Sequence, residues 1–132
     1  MGLFDTKPII YAEIADNPES LSKGLMFRKK LSFNSGMLFK FSSPRKLRFW
    51  GKNTYIPLDI AYVSDSNEIM QISKIDPLSE KTVCSECECL MAIEANAGFF
   101  EENKIKVGYT VSIQNDSVGG CCISFDQKNK GK

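Results

Sequence analysis

Apolar residues in this 132-residue chain recur mostly at every second position, in short runs separated by turn-forming residues, the pattern of half-buried strands. Ile10, Ala12 and Ile14 share one face of a run from Ile9 to Ala15, with Ile9, Tyr11 and Glu13 on the other. Asp16-Asn17-Pro18-Glu19 then predicts a helix start. Asn17 caps, Pro18 suits the first helical position, and Glu19 complements the positive end of the helix dipole. Gly24 stops the helix in a left-handed turn, leaving a segment too short to persist without packing through Leu21 and Leu25.

Two glycine-led apolar blocks follow, Gly24-Leu25-Met26-Phe27-Arg28 and Gly36-Met37-Leu38-Phe39-Lys40-Phe41, the second with Met37, Phe39 and Phe41 on one strand face. Ser42-Ser43-Pro44 predicts a turn, and Arg45 to Phe49 brings the chain back. Ile56 to Val63 and Ile69 to Ile75 form the arms of a hairpin around Ser64-Asp65-Ser66-Asn67-Glu68, with Pro57 confined to a strand start, an edge or a bulge. A polar, cysteine-rich loop runs from Leu78 to Cys87. Further strands are expected at Cys89–Ala95, from Val107 to Ile113 and at Cys121–Phe125, with a helical turn from Phe99 to Lys104. The expected fold is mainly β, an antiparallel β-sandwich or a partly closed barrel with one short N-terminal helix. Residues 1–126 make the domain and residues 127–132 a polar, disordered tail. No βαβ alternation is visible.

Composition changes this picture little. A hydrophobic fraction of 42%, a charged fraction of 25% and a net charge of +1 are those of an ordinary globular domain, with no drive toward nucleic acid or a membrane. No signal-peptide plan or spanning run is visible, so the chain reads as cytoplasmic. Met1-Gly2-Leu3-Phe4-Asp5-Thr6 matches the loose myristoylation pattern, which is short enough to recur by chance. The chain has no histidine, which excludes histidine-based triads, metal sites and general bases.

Candidate chemistry concentrates between Arg48 and Asp59. Arg48, Trp50 and Lys52 would project from one face of a strand, a cationic pair around the chain's single indole. The alternative is a core tryptophan flanked by solvated cations. Asp59, between Leu58 and Ile60, needs a partner, with Arg28 or Lys52 the candidates. Glu13, Asp59 and Glu94 are the carboxylates from which an acid–base pair could be drawn, with Asp59 and Glu94 the favoured two. Three of the five cysteines crowd into Cys84-Ser85-Glu86-Cys87-Glu88-Cys89. Cys84, Cys87 and Cys89 with Cys121 or Cys122 could wrap zinc or form a redox disulfide, but inert thiols are the preferred reading and no cofactor is expected. Gly119-Gly120 is followed by Cys121-Cys122, which makes no phosphate loop.

The blocks from Gly24 to Arg28 and from Gly36 to Phe41, with Phe49-Trp50-Gly51-Lys52-Asn53-Thr54 and Ile56-Pro57-Leu58-Asp59-Ile60, resemble in order and spacing the family known as domain of unknown function 192. Ala92-Ile93-Glu94-Ala95-Asn96-Ala97-Gly98 and Ile105-Lys106-Val107-Gly108 continue the likeness. The resemblance implies a jelly-roll β-sandwich with a short helix near its start, and it supplies no activity. Gly51 stands where the family pattern has Met, which implies open space beside Trp50, and Tyr109 stands where it has Asp. The cysteine cluster lies outside the pattern.

Together these readings favour a binding module for a small polar or anionic molecule, a saccharide among the candidates. Its cleft would hold Arg28, Arg48, Trp50, Lys52, Asn53 and Asp59. The alternatives are a carboxylate-dependent hydrolase or lyase using Asp59 with Glu94, and a structural or interaction protein without a ligand.

Overall fold

The computed structural model describes residues 7–128 and runs in the order β1 (Ile9–Ala15), α1 (Pro18–Lys23), β2 (Ser35–Arg45), β3 (Arg48–Phe49), β4 (Leu58–Val63), β5 (Ile69–Ile75), β6 (Val83–Cys84), β7 (Cys89–Asn96), α2 (Phe99–Glu102), β8 (Thr110–Asn115) and β9 (Gly120–Asp126). Seven strands join one sheet in the order β5-β4-β7-β2-β1-β9-β8, while β3 and β6 pair as a separate ribbon. The sheet curls until its two edges touch. Ile69 N donates to the Tyr109 carbonyl, Gly108 N to the Ile69 carbonyl and Val111 N to the Asn67 carbonyl, each at 2.8 Å. A Glu68–Thr110 bridge lies in the same seam. The curled seven-stranded sheet makes a half-barrel, the partly closed barrel among the expected folds, with the β3–β6 ribbon against its outer face.

Local chemistry sets the elements. Asn17 Oδ1 accepts from Ser20 N at 2.8 Å while Ser20 Oγ accepts from Asn17 N at 3.2 Å, a reciprocal cap that starts α1. β1 and β2 are parallel neighbours, in register from Tyr11 opposite Ser35 to Ala15 opposite Phe39. Parallel neighbours need a long crossover, and α1 with its flanking loops provides it. This βαβ unit escapes a reading by periodicity because alternation carries no strand direction. β2 also runs through Ser42-Ser43-Pro44, the expected turn, by shifting register against β7 between Lys40 and Arg45. Pro44 is tolerated in that exposed extension. β8 begins only at Thr110, because Lys106 to Tyr109 forms a turn, with Gly108 at φ 98°.

Both faces of the sheet are covered over β2, β7 and β4, whereas Ile9, Tyr11 and Glu13 leave the outer face of β1 exposed. Inside the curl, Ile10, Leu38, Ala61, Ile93 and Ile123 pack with Phe99 and Phe100 of α2. On the outer face Phe39, Leu58, Ile60, Tyr62 and Ala92 lie under Leu25, Leu47 and Ile56, with Phe49 of the ribbon against them. All six residues of β4 are therefore buried, so its alternation cannot reveal which face meets water. A Cβ on Gly36 would stand 2.3 Å from the Glu94 carbonyl, so β2 and β7 approach only because that side chain is missing. Lys128 pairs with Glu68 at 3.2 Å. Met1–Thr6, with the myristoylation pattern, and residues 129–132 of the expected tail lie outside the described residues.

Candidate functional site: a buried carboxyl beneath an aromatic mouth

Glu94 sits opposite Met37 on β2 and Ile60 on β4, which turns its side chain to the outer face among apolar neighbours. Above it lies a cavity of about 180 Å³. Phe39 and Leu58 form walls from the sheet, and Gly24, Leu25 and Met26 form a wall from the segment after α1. Gly24 lies close over Phe39, since a Cβ there would come within 3.3 Å of the ring. β3 supplies Arg48 and Phe49, whose ring meets Phe39 edge-on at 4.9 Å, and Trp50, Thr54 and the end of α1 from Leu21 to Lys23 also line it. Trp50 is 41% exposed whereas Glu94 is only 5% exposed, so the indole marks the mouth and the carboxyl the floor.

Among the described residues the Glu94 carboxyl has no hydrogen-bond partner and no ion-pair partner. Burial alone pushes its pKa up to about 8, so at neutral pH it is a neutral acid, able to donate as well as accept. Arg48 and Lys23, both exposed, line the same cavity. Lys52 does not line it; its Nζ lies 5.2 Å from the centre of the Trp50 ring, which keeps a third positive charge beside the mouth. Thr54 is buried and its hydroxyl already donates to the Lys52 carbonyl at 3.2 Å.

The fold separates the other expected site residues from this cavity. Arg28 makes a two-pronged pair with Glu13, Nη2 to Oε1 at 2.7 Å, and does not reach Asp59. That contact holds the Glu13 carboxyl below its usual range. Asn53 adopts a left-handed conformation at φ 58°, and its carbonyl accepts from Phe27 N at 2.7 Å. It thereby ties the segment after α1 to the segment after β3. Asp59 lies opposite Ala95, one residue out of phase with Glu94, so the two carboxylates point to opposite faces of the sheet. Neither Arg28 nor Lys52 pairs with it. Its Oδ2 accepts from Gly98 N at 2.8 Å and its Oδ1 is buried without a partner. An acid–base pair of Asp59 with Glu94 is thus ruled out by register.

The cysteines also stay apart. Cys89 is on β7 and Cys121 on β9, with β2 and β1 between them, and among the described residues no three potential metal ligands gather. All five thiols are free; Cys84 and Cys87 are exposed, and burial pushes the Cys89 and Cys121 thiols up. Buried Ser85, between Cys84 and Cys87, accepts from Leu47 N and donates to the Cys87 carbonyl, both at 2.8 Å, and so anchors the loop.

The family departures also find a place. Gly51 opens no space: a Cβ there would lie 1.9 Å from the Asp76 carbonyl, because the segment from Asp76 to Ser79 fills the position. Gly51 N donates to the Ser79 carbonyl at 2.8 Å and Leu78 N to the Thr54 carbonyl at 2.9 Å. Tyr109 lies in the β5–β8 seam, packed against the inner core. Lys23 and Thr54 are lining residues that sequence reasoning passed over. Only the helix preceding Gly24 and the turn preceding Ile56 hinted at either.

Residues 4–113 match the family described as DUF192, uncharacterised ACR. The chain belongs to DUF192. No curated protein matches it. Among solved structures it is similar to a candidate transcription regulator from Sinorhizobium meliloti 1021, with 24% identity, a TM-score of 0.71 and coverage of 88% of this chain and 91% of that one. It is also similar to a protein of unknown function from Novosphingobium aromaticivorans DSM 12444, with 28% identity, a TM-score of 0.70 and coverage of 87% and 82%. The five blocks carrying the DUF192 likeness between Gly24 and Gly98 each send a wall to the one cavity: Gly24 from the first, Phe39 from the second, Trp50 from the third, Leu58 from the fourth and Glu94 from the fifth.

Proposed function

We propose that this DUF192 protein is a binding module for a small polar or anionic ligand, held in the cavity between Trp50 and Glu94. The convergence of five separated sequence blocks on one hollow carries the reading. Trp50 stacks on the ligand, Arg48 and Lys23 receive its negative or oxygen-bearing groups, and Glu94 meets its buried end. Lys52 supports Trp50, while Arg28, Asn53 and Asp59 brace the loops. At about 180 Å³ the space lies below the roughly 300–1,000 Å³ of drug-sized sites, which limits the occupant to a small metabolite. The regulator description of the Sinorhizobium protein finds no support in a net charge of +1.

Thermal-shift screening over small carboxylic acids, monosaccharides, nucleotides and phosphate tests this. A selective ligand at a hundred times its Kd stabilises the native state by about 2.7 kcal/mol, and Trp50→Ala is expected to abolish the shift. Silence across the whole set would leave the motif blocks with a purely architectural role.

A further inference from the structure

We propose that the occupant is a small two-ended acid: an anionic group at the mouth between Arg48 and Lys23, a short apolar body, and a carbonyl or hydroxyl oxygen at the inner end against Glu94. This rests on the binding reading above and narrows its chemistry. The two ends of the cavity differ in kind. Arg48 and Lys23 are exposed and cationic, and the lining brings no ionised acid near them. Between mouth and floor the side chains of Leu25, Met26, Phe39, Phe49 and Leu58 are apolar, while the Ser22 hydroxyl joins Arg48 and Lys23 at the exposed end. Thr54 spends its proton on the Lys52 carbonyl. Glu94 is therefore the one uncommitted polar side chain at the buried end among the described lining residues.

Each rival class leaves something unpaired. A sugar ring carries hydroxyls all round its edge, and those turned toward Leu25, Met26, Phe39 and Leu58 would be left unmatched, which is costly. A simple alkanoate would satisfy the mouth but leave the Glu94 proton without an acceptor. A cation would face Arg48 and Lys23 across a floor that carries no charge at neutral pH. A keto or hydroxy acid meets both ends: its carboxylate lies with the cations, and its inner oxygen accepts from the Glu94 O–H.

Titration calorimetry of the full chain at pH 6.5 with 4-oxopentanoate, pentanoate, 2-pentanone and glucose separates these. The oxo acid is expected to bind tightest, with pentanoate and 2-pentanone each weaker by roughly tenfold, one hydrogen bond or ion pair being lost in each case. Glu94→Leu should erase the preference for the oxo acid over pentanoate. Arg48→Gln should weaken both acids and spare the ketone. Equal affinity of the oxo acid and pentanoate for the wild type, or a preference that survives Glu94→Leu, overturns the proposal. Glucose binding without the acids would refute the ligand class and keep the site. Absence of binding by all four compounds overturns the two-ended acid, and the binding reading falls with it only if the wider thermal-shift set is silent as well.

Discussion

Asp59 and Glu94 lie on adjacent strands, one residue out of phase, and the sheet treats them in opposite ways. Both are nearly sealed from water, at 6% and 5% exposure. Asp59, on the inner face, is bonded to the backbone of Gly98 just before α2, and so fixes where the chain leaves β7. Glu94, on the outer face, is bonded to nothing among the described residues and looks into a hollow. A buried acid that grips the backbone is an architectural device. One that faces an unfilled space beneath a half-exposed tryptophan has its partner still to come.

The largest expected effect tests the lonely member of the pair. Between 4.5 and about 8 the unfolded chain releases the Glu94 proton while the native chain keeps it, so stability falls as pH rises through that window. Below it the group is neutral in both states, and above it the loss is complete. The window corresponds to roughly 4 kcal/mol. Lys23, Arg48 and Tyr62 are the titratable neighbours on α1, β3 and β4. Urea unfolding of wild type and Glu94→Gln at pH 4 and pH 8.5 should show a gap that widens by that amount. A constant gap would mean a hydrated carboxyl, and the contrast with Asp59 would collapse.

The next effect falls on the gripping member. Asp59→Ala leaves the half-buried Gly98 N–H without its acceptor and should cost about 1 to 2 kcal/mol at neutral pH, measured by the same unfolding titration. It should leave ligand binding unchanged in any experiment that Trp50→Ala disrupts. The smallest effect is at the surface. Glu13→Ala removes the pair with Arg28, whose two side chains are 58% and 35% exposed, and should cost less than about 1 kcal/mol. Because the Glu13 pKa is lowered, that contribution is present above pH 4.5 and fades in acid.

These contrasts were legible in the sequence only where the interactions are local. Asn17 and Pro18 announce α1 because a cap acts within four residues. The arms around Ser64 to Asn67 announce β4 and β5 because the hairpin closes on itself. Trp50 beside Arg48 stands out for the same reason, as neighbours in the chain remain neighbours at the mouth. The pairing of Arg28 with Glu13 instead of Asp59 depends on a crossover from β1 to β2 that no alternation encodes. The parity of Asp59 against Glu94 depends on which residue of β7 meets Ile60, and six buried positions in a row on β4 remove the cue. Lys23 joined the site only through the fold of the segment after it.

The carbonyl of Asp76 lies where any side chain at position 51 would begin. Randomising that position alone should therefore return only glycine from a selection for folded protein. Larger residues become acceptable only when the backbone from Asp76 to Ser79 is rerouted, since the blocking atoms are main-chain. The two stretches form one engineering unit, and a graft that carries the tryptophan turn without its companion strip transplants half a joint.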